Sequence, residues 1–335
     1  MSPSFIFARP LIVACDLNAV SFDFADQLII YHEICAAIMW SVALIAVPAY
    51  LGEIGLYTDF SERMNTMIEK KPWTGFLPPF RLWGNCYFVG SLRASVHIVD
   101  TGAGLVMLDC GYQESLYLVI EHMHRLGLDP ARLTALFITH GHIDHCAAAA
   151  ALRQLTGCRI YLGAADADAV QGTAATDLTY ASELGMPFIN FTPDVLLNDG
   201  DEVTIGSTTF RAIASPGHTV GTMSYCFDLQ DGERTMRALL QGGAGTNTLT
   251  RDYLDRHQCS DSLRDEFAAS MAALCTMRAD IFLGNHATQN DTAGKAARLT
   301  AGETDAFVDP GEAARFGKAI LRKLRRLIEE ETASG

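Results

Sequence analysis

Basic residues are scarce in this chain. Its 335 residues include 25 lysines and arginines against 39 aspartates and glutamates, which gives a formal net charge of −14. A protein that binds the phosphate backbone of nucleic acid needs a positively charged surface. The charge balance therefore argues against nucleic acid as a partner, although it does not indicate which small molecule would bind.

Cysteine pairs with the spacing Cys-X-X-Cys are absent, and the nine cysteines form an odd number. An odd number excludes a framework in which every cysteine is bridged within the chain. Unpaired cysteine is among the most buried residue types, and reducing compartments keep thiols unpaired. We therefore expect reduced, buried thiols and favour a cytoplasmic location. Repeats of the solenoid or propeller kind are also absent.

The N-terminal region lacks the positively charged segment that begins a secretory signal peptide. An uncharged, apolar stretch runs from Ile34 to Gly52, at the lower limit of length for a membrane span. Three interpretations stay open: a membrane anchor, a helix packed on the domain or a partner, and an extension upstream of the natural start. The last two are favoured over the anchor. We divide the chain into an N-terminal apolar extension, residues 1–56, and a main domain, residues 57–335.

Residues 139–145 concentrate four side chains that can bind a metal. They are His140, His142, Asp144 and His145. Neutral imidazoles and carboxylates bind first-row metals, and this combination favours zinc. The apolar run from Leu133 to Ile138 predicts a buried strand, and the alanine-rich segment after the motif predicts a helix. The ligands are therefore expected in a loop at the carboxyl end of a strand, where open α/β sheets place their sites.

The spacing His-X-His-X-Asp-His resembles the first motif of the metallo-β-lactamase superfamily. Two later segments resemble the motifs of its remaining histidines: Ser-Pro-Gly-His-Thr, which contains His218, and Leu-Gly-Asn-His, which contains His286. The resemblance extends from the region of Trp73 to that of Arg298. It implies an α/β fold, the four-layer αβ/βα metallo-β-lactamase sandwich, with a di-zinc site at one edge. It also leaves a periplasmic location open.

The resemblance implies a ligand set for each of two Zn²⁺ ions per chain. The ligands of one ion would be His140, His142 and His218. Those of the other would be Asp144, His145 and His286. Zinc lowers the pKa of a bound water to about 7, so a metal-bound hydroxide would open an amide or lactam bond in a small-molecule substrate. Asp144 would also be catalytic, because it is placed to orient the hydroxide.

The segment around Gly84 and Asn85 resembles the beginning of subclass 3 of the class B β-lactamases. A departure follows Gln241, where many superfamily hydrolases, including the glyoxalase type and the lactonases, carry a metal-bridging aspartate. This chain has glycines there, and Gly243 replaces a serine with which subclass 3 enzymes often contact substrate. A β-lactamase-like hydrolase is therefore the first hypothesis. The alternative is a lactonase-like metallo-hydrolase of a non-lactam cyclic ester, amide or thioester.

Four residues are expected to support a metal ligand or to contact substrate. They are Asp109, Gly243, Asn285 and Gln289. By resemblance, Asp109 orients a ligand histidine, since such partners set the tautomer and direction of the ring. Capping of the helix that follows is an equally open role for Asp109. Asn285 and Gln289 lie in a predicted loop, where exposure to solvent is the alternative.

Three further expectations concern helices and a loop. A helix predicted from Ser115 to Leu126 places His122 and His124 at the surface. Residues 172–198 are predicted to form a long loop whose aromatic side chains either line a cleft or pack on the core. A closing helix is predicted from Arg315 to Glu331, and its basic residues are interpreted as a solvated face.

Overall fold

The structure is a computed structural model that describes residues 75–334. The predictions for residues 1–56, including the stretch from Ile34 to Gly52, lie outside the described residues. Within the described part of the chain, no helix is both long and apolar enough to cross a membrane. The seven cysteines in this part are all free thiols, as expected, but only four are buried, because Cys226, Cys259 and Cys275 are partly exposed.

Residues 75–334 contain two mixed sheets. The strands of the first sheet lie in chain order: β1 (Phe80–Trp83), β2 (Cys86–Phe88), β3 (His97–Asp100), β4 (Leu105–Leu108), β5 (Leu133–Phe137), β6 (Arg159–Gly163) and β7 (Val195–Leu197). Strands β1 to β4 pair antiparallel, and β4 to β7 pair in parallel.

The second sheet has the order β12-β11-β10-β9-β8. Its strands are β8 (Glu202–Ile205), β9 (Thr208–Ala214), β10 (Met223–Asp231), β11 (Arg234–Leu240) and β12 (Ile281–Leu283). Strands β11 and β12 pair in parallel, and the other neighbours pair antiparallel.

Helices connect the strands and flank the sheets. In chain order they are α1 (Leu116–Arg125), α2 (Ile143–Cys146), α3 (Ala149–Thr156), α4 (Ala167–Gln171), α5 (Ala181–Leu184), α6 (Arg251–His257), α7 (Ser262–Leu274), α8 (Thr292–Thr300) and α9 (Glu312–Ser334). A short 3₁₀ turn, Ala164–Asp166, leads directly into α4.

Three apolar clusters separate the layers of this fold. The cluster between the sheets joins Phe137 of β5 to Phe210 of β9, whose ring centroids are 5.0 Å apart. A second cluster packs the first sheet against helices that include α1, through residues such as Met123. A third packs the second sheet against α7 and α9, with Phe267 fully buried. The predicted four-layer αβ/βα sandwich is confirmed.

Strand β4 shows why the sequence forms layers. Val106 and Leu108 belong to the cluster between the sheets, whereas Leu105 and Met107 belong to the cluster on the helix side. Alternate side chains of a strand point to opposite faces of its sheet. Four apolar residues in a row therefore make both faces apolar, and both have to be covered.

Three predictions about helices and loops need correction. His122 is buried, because α1 turns this residue towards the first sheet, and its Nδ1 lies 2.9 Å from the carbonyl oxygen of Val89. His124 is exposed as predicted. The helix predicted after the ligand motif is divided into α2 and α3. Residues 172–198 contain α5 and β7 and are therefore not one long loop.

Candidate metal centre

The ligand motif begins where β5 ends. Its backbone passes through Thr139, whose carbonyl oxygen accepts a hydrogen bond of 2.7 Å from Met223 N of the second sheet. His142 has extended backbone angles, φ −78° and ψ 150°, and directly precedes α2. Asp144 and His145 lie within the single turn of that helix. The motif therefore follows a strand, as the sequence predicted, but Asp144 and His145 lie in the helix and not in the connecting loop. The hydrogen bond to Met223 places the motif beside the second sheet.

Three imidazoles converge at this junction. They belong to His140, His142 and His218, and their donor atoms lie within 4.8 Å of one another. The Nε2 of His140 is 3.1 Å from the Nδ1 of His142. The ring centroid of His218 lies 4.7 Å from that of His140 and 4.6 Å from that of His142. The structure thus brings together the three residues that the sequence assigned to one metal.

A second group of candidate ligands, which contains Asp144, His145 and His286, lies beside the first. The Nε2 of His145 lies 3.2 Å from Oδ2 of Asp144 and 3.3 Å from Nε2 of His286. Asp144 Oδ2 and His286 Nε2 are 3.5 Å apart. His286 follows β12, so this group also combines residues from both sheets. The ring centroids of His140 and His145, which link the two groups, are 4.2 Å apart.

Burial keeps most of these imidazoles neutral. It lowers the pKa of His140 and His142 well below the ordinary value, and that of His218 and His286 to about 4. A neutral imidazole has a lone pair on one ring nitrogen, which is what binding to a metal requires. The four residues are therefore held in the ligand-competent form.

His145 and Asp144 behave differently because opposite charges meet there. Burial alone would lower the pKa of His145, but the carboxylates of Asp144 and Asp109 raise it to about 10. Burial alone would raise the pKa of Asp144, but the neighbouring imidazoles of His145 and His286 hold it well below the ordinary value. The buried carboxylate of Asp109 and the partly buried carboxylate of Asp144 thus both face His145, where they favour a positive charge.

Asp109 fixes the orientation of the His145 ring through a hydrogen bond at Nδ1. Its Oδ2 accepts a hydrogen bond of 2.8 Å from Nδ1 of His145. Its Oδ1 accepts one of 2.7 Å from the backbone N of Thr139, and Oδ2 also accepts one from the Thr139 hydroxyl. Asp109 has a φ of 56°, which is unusual outside glycine. The side chain therefore orients the ring of His145, a candidate ligand, and caps neither the 3₁₀ turn that follows nor α1.

Asp166 has a comparable role that the sequence did not reveal. It is buried at the end of the 3₁₀ turn before α4. Its Oδ2 accepts hydrogen bonds from Gly141 N at 2.8 Å and from the Thr219 hydroxyl at 2.7 Å, and its Oδ1 accepts one from Gly221 N at 2.8 Å. One carboxylate thus ties the loop of His140 and His142 to the loop of His218. No motif marks this residue in the sequence.

Glycines surround His218, and Gly243 is the most informative of them. A Cβ atom at position 243 would lie 2.7 Å from Cδ2 and 2.9 Å from Cβ of His218. One at Gly245 would lie 2.6 Å from Cε1 of the same ring. The carbonyl oxygen of Gly245 is 2.9 Å from Nδ1 of His218 and receives its hydrogen bond. The glycines that replace a bridging or substrate-contacting side chain therefore allow the backbone to approach the imidazole closely.

Asn285 and Gln289 flank the last ligand. Asn285 is buried, and its Nδ2 donates a hydrogen bond of 2.6 Å to the carbonyl oxygen of Gly242. It therefore anchors the glycine segment beside His218. Gln289 lies on the wall of the cleft. His286 itself is oriented through its Nδ1, which donates to the carbonyl oxygen of Arg93.

A cleft of about 400 Å³ opens onto both ligand groups, with His142, Asp144, His218 and His286 among its lining residues. Tyr180 also lines it, with its ring centroid 5.0 Å from that of His142 in an edge-to-face contact. The Tyr180 hydroxyl accepts a hydrogen bond of 2.7 Å from Nδ2 of Asn247. The backbone φ of Tyr180 is 67°. Such an outlier at a cleft is typical of a residue that is held for function.

The donor atoms fit metal ions. Nitrogens bound to a tetrahedral zinc ion at about 2.0–2.1 Å lie about 3.3 Å from one another. The pairs His140–His142 and His145–His286 have donor separations of 3.1 and 3.3 Å. Each metal of the implied pair would have three protein ligands and an open position towards the cleft, as catalytic zinc requires.

Fold and site together define a metal-dependent hydrolase. The profile of the metallo-β-lactamase superfamily matches residues 89–231. A hydroxyacylglutathione hydrolase of Haemophilus influenzae is 30% identical over 172 residues, which cover 50% of this chain and 73% of that protein. One of Cereibacter sphaeroides is 36% identical over 96 residues, but the match spans only 29% of this chain and 30% of that protein. The chain belongs to the metallo-β-lactamase superfamily.

Solved structures extend the likeness over most of the described residues. The subclass B3 metallo-β-lactamase BJP-1 of Bradyrhizobium japonicum superposes with a TM-score of 0.71 at 26% identity, covering 78% of this chain and 97% of that chain. The metallo-β-lactamase FEZ-1 of Legionella gormanii superposes with a TM-score of 0.70 at 26% identity, covering 76% and 97%. The predicted resemblance is confirmed at the level of the superfamily and its fold.

Proposed function

We propose that this protein is a β-lactamase-like hydrolase that binds two Zn²⁺ ions and opens an amide or lactam bond. Two adjoining groups of three ligands support the proposal. The observation that carries the choice of bond is Gly243, because no carboxylate stands where lactonases and glyoxalase-type enzymes have a bridging aspartate. His218 fills the space that such a side chain would need.

Bound zinc would supply a water of lowered pKa as nucleophile and positive charge for the developing oxyanion. The chain supplies orientation. Asp144 stays ionised at neutral pH and is partly open to the cleft, with 17% of its side chain exposed, so it can accept a hydrogen bond from the attacking water. The Tyr180 hydroxyl accepts from Asn247 and keeps its own proton for a substrate oxygen in the cleft.

A second candidate is hydrolysis of a thioester. The curated relatives favour it, since both proteins described above are hydroxyacylglutathione hydrolases. Zinc hydrolases act on amides and thioesters through the same attack at a carbonyl carbon. The absence of a carboxylate at Gly243 ranks this candidate behind the first.

Turnover of two substrates by the purified, zinc-loaded full chain tests the proposal. We expect a chromogenic cephalosporin to be hydrolysed, about two zinc ions per chain by elemental analysis, and loss of turnover with a chelator. His142→Ala should abolish turnover, whereas His124→Ala, which changes an exposed histidine on α1, should leave it unchanged.

Other outcomes are equally informative. Hydrolysis of a hydroxyacyl-glutathione thioester without hydrolysis of the cephalosporin would replace the first candidate with the second. Full activity of His142→Ala, or turnover that persists in the metal-free protein, would overturn the site assignment.

A further inference from the structure

One wall of the cleft is apolar and belongs to the C-terminal helix α9. Phe316 and Ile320 line the same cavity as the metal ligands, and their spacing of four residues places them on one face of the helix. Phe316 also packs on Phe282 of β12, with the two ring centroids 5.1 Å apart. The distance between this wall and the metal ligands therefore limits the size of an apolar group that the cleft accepts.

A buried ion pair joins the beginning of α9 to α8. Nζ of Lys295 contacts Oε2 of Glu312, which is the first residue of α9 and lies one turn before Phe316. Only 7% of the Lys295 side chain and 14% of the Glu312 side chain are exposed. Nζ of Lys295 also lies 5.2 Å from the ring centroid of Phe307, which is fully buried. Because the pair is shielded from solvent, water and salt screen it little.

Helix α8 follows closely after the last metal ligand. The backbone N of Gln289 donates a hydrogen bond of 3.0 Å to the carbonyl oxygen of His286. The backbone N of Thr292, the first residue of α8, donates one of 2.9 Å to the carbonyl oxygen of Ala287. These bonds fix α8 relative to the segment that carries the ligand. The ion pair of Lys295 therefore connects that segment to the wall of the cleft.

The C-terminal half of α9 has separate anchors. Leu324 is buried in the cluster that also contains Phe267 of α7. Glu331 accepts a hydrogen bond of 2.7 Å from Arg251 N through Oε1 and forms an ion pair of 2.5 Å with Arg264 through Oε2. These contacts join α9 to α6 and α7 and lie beyond the two residues of the wall. The ion pair with α8 is thus placed to control the half of the helix that forms the wall.

We propose that Lys295 and Glu312 are positioning residues, which set the distance of the apolar wall from the metal centre and so select acyl substrates by the size of an apolar group. The inference rests on the proposed function. Loss of one partner leaves a buried charge without compensation, which is strongly unfavourable. Movement of the first turn of α9 towards solvent relieves that charge and displaces Phe316 from the cleft.

Glu312→Gln tests the assignment, with Glu303→Gln as the matched control. Glu303 pairs with Arg298 of α8, but both side chains are about half exposed, and neither lines the cleft. We measure kcat and KM of the zinc-loaded full chain for two cephalosporins that differ only in their acylamino group, phenylacetyl or acetyl.

Glu312→Gln should raise KM for the phenylacetyl compound by about threefold to tenfold, since part of the apolar contact with the wall is lost. KM for the acetyl compound, kcat for both and the zinc content should be unchanged. Glu303→Gln should equal the wild type. If Glu312→Gln does not fold, the double variant Lys295→Met, Glu312→Leu replaces it, because apolar side chains often substitute for a buried ion pair without loss of stability. We expect the same selective rise.

Hydrogen exchange measured by mass spectrometry gives a second readout that needs no turnover. Glu312→Gln should accelerate exchange at residues 312–320 and leave residues 324–331 unchanged, whereas Glu303→Gln should leave both unchanged. Equal exchange of wild type and Glu312→Gln at residues 312–320 would refute the positioning role.

Two kinetic results would also overturn the assignment. One is an unchanged KM for the phenylacetyl compound in Glu312→Gln. The other is an equal effect on both compounds, which would indicate a role in stability alone. If the wild-type chain hydrolyses neither compound, the proposed function fails separately, and hydrogen exchange decides whether the pair positions the wall.

Discussion

At the scale of single residues, Asp109 links backbone geometry to ligand orientation. Its left-handed backbone conformation directs the carboxylate to both Thr139 and His145. A non-glycine residue with this φ is costly unless its surroundings hold it there, and outliers of this kind gather at functional sites. The three hydrogen bonds accepted by Asp109 provide that support.

Asp109→Asn should weaken metal binding. An amide can face Nδ1 of His145 through its oxygen, but it removes a negative charge beside the ligand ring. Loss of a partner of this kind typically lowers metal affinity about 10- to 100-fold. Competition with a chromogenic chelator measures the affinity, and Asp129→Asn, at an exposed turn before β5 and so at the opposite end of the parallel strands, serves as the control. An unchanged affinity would contradict the role given to Asp109.

Gly243 shows, also at the scale of single residues, why a position carries no side chain. The sequence shows only that no serine, aspartate or cysteine stands at this position. The structure shows the His218 ring within 3 Å of where a Cβ would lie. Because real Cβ atoms do not approach that closely, a larger residue would have to displace the His218 ring.

At the scale of elements, Asp166 joins two connections that are distant in sequence. It bonds Gly141 in the connection after β5, and Thr219 and Gly221 in the connection before β10. The carboxylate is buried, and burial raises its pKa. Its partners are two backbone N–H groups and one hydroxyl, and they lie on two different connections. The carboxylate therefore holds these two connections in position relative to each other.

Asp166→Asn should destabilise the fold, because the amide NH₂ would face at least one N–H donor that then has no acceptor. Leaving buried donors unsatisfied costs about 1–3 kcal/mol each, so we expect the free energy of unfolding to fall by about 2–4 kcal/mol. Denaturant titration measures it. Asp168→Asn, an exposed neighbour on α4, should change stability by less than about 0.5 kcal/mol. Equal stability of the two variants would show that the link is unimportant.

At the scale of the whole molecule, the site joins the two halves of the sandwich. Asp109 and the ligand motif follow strands β4 and β5 of the first sheet, whereas His218 and His286 follow strands β9 and β12 of the second. Both ligand groups contain residues from each sheet. A ligand that binds only the folded state stabilises that state. Metal occupancy should therefore support the packing of the sheets.

Removal of metal should lower Tm. A metal whose free concentration is about 1,000 times its Kd stabilises the folded state by about 4 kcal/mol. For a domain of this size, each kcal/mol of stability shifts Tm by about 2–4 °C. We expect the chelated protein to melt at least about 5 °C below the zinc-loaded protein in calorimetry. His142→Ala should show a smaller difference. Equal Tm values with and without zinc would contradict a metal centre that bridges the sheets.

The sequence by itself determined the parts of this protein that depend on local order along the chain. The motif of His140 to His145, its strand-to-helix setting, and the run of four apolar residues that makes both faces of β4 apolar are all contained in short segments. The motifs of His218 and His286 were found in the same way. These signals were sufficient for the superfamily and for the four layers.

Only the tertiary structure decided what depends on residues brought together from distant segments. Asp166 is one aspartate among many until the loops of Gly141 and Gly221 meet around it. His122 looks exposed on its helix until the first sheet covers it. Lys323 is exposed, as the prediction of a solvated face implied, and only the position of α9 places it on the wall of the cleft. The physical reason is that burial, charge compensation and steric exclusion depend on which residues are neighbours in space. The sequence alone does not show these neighbours.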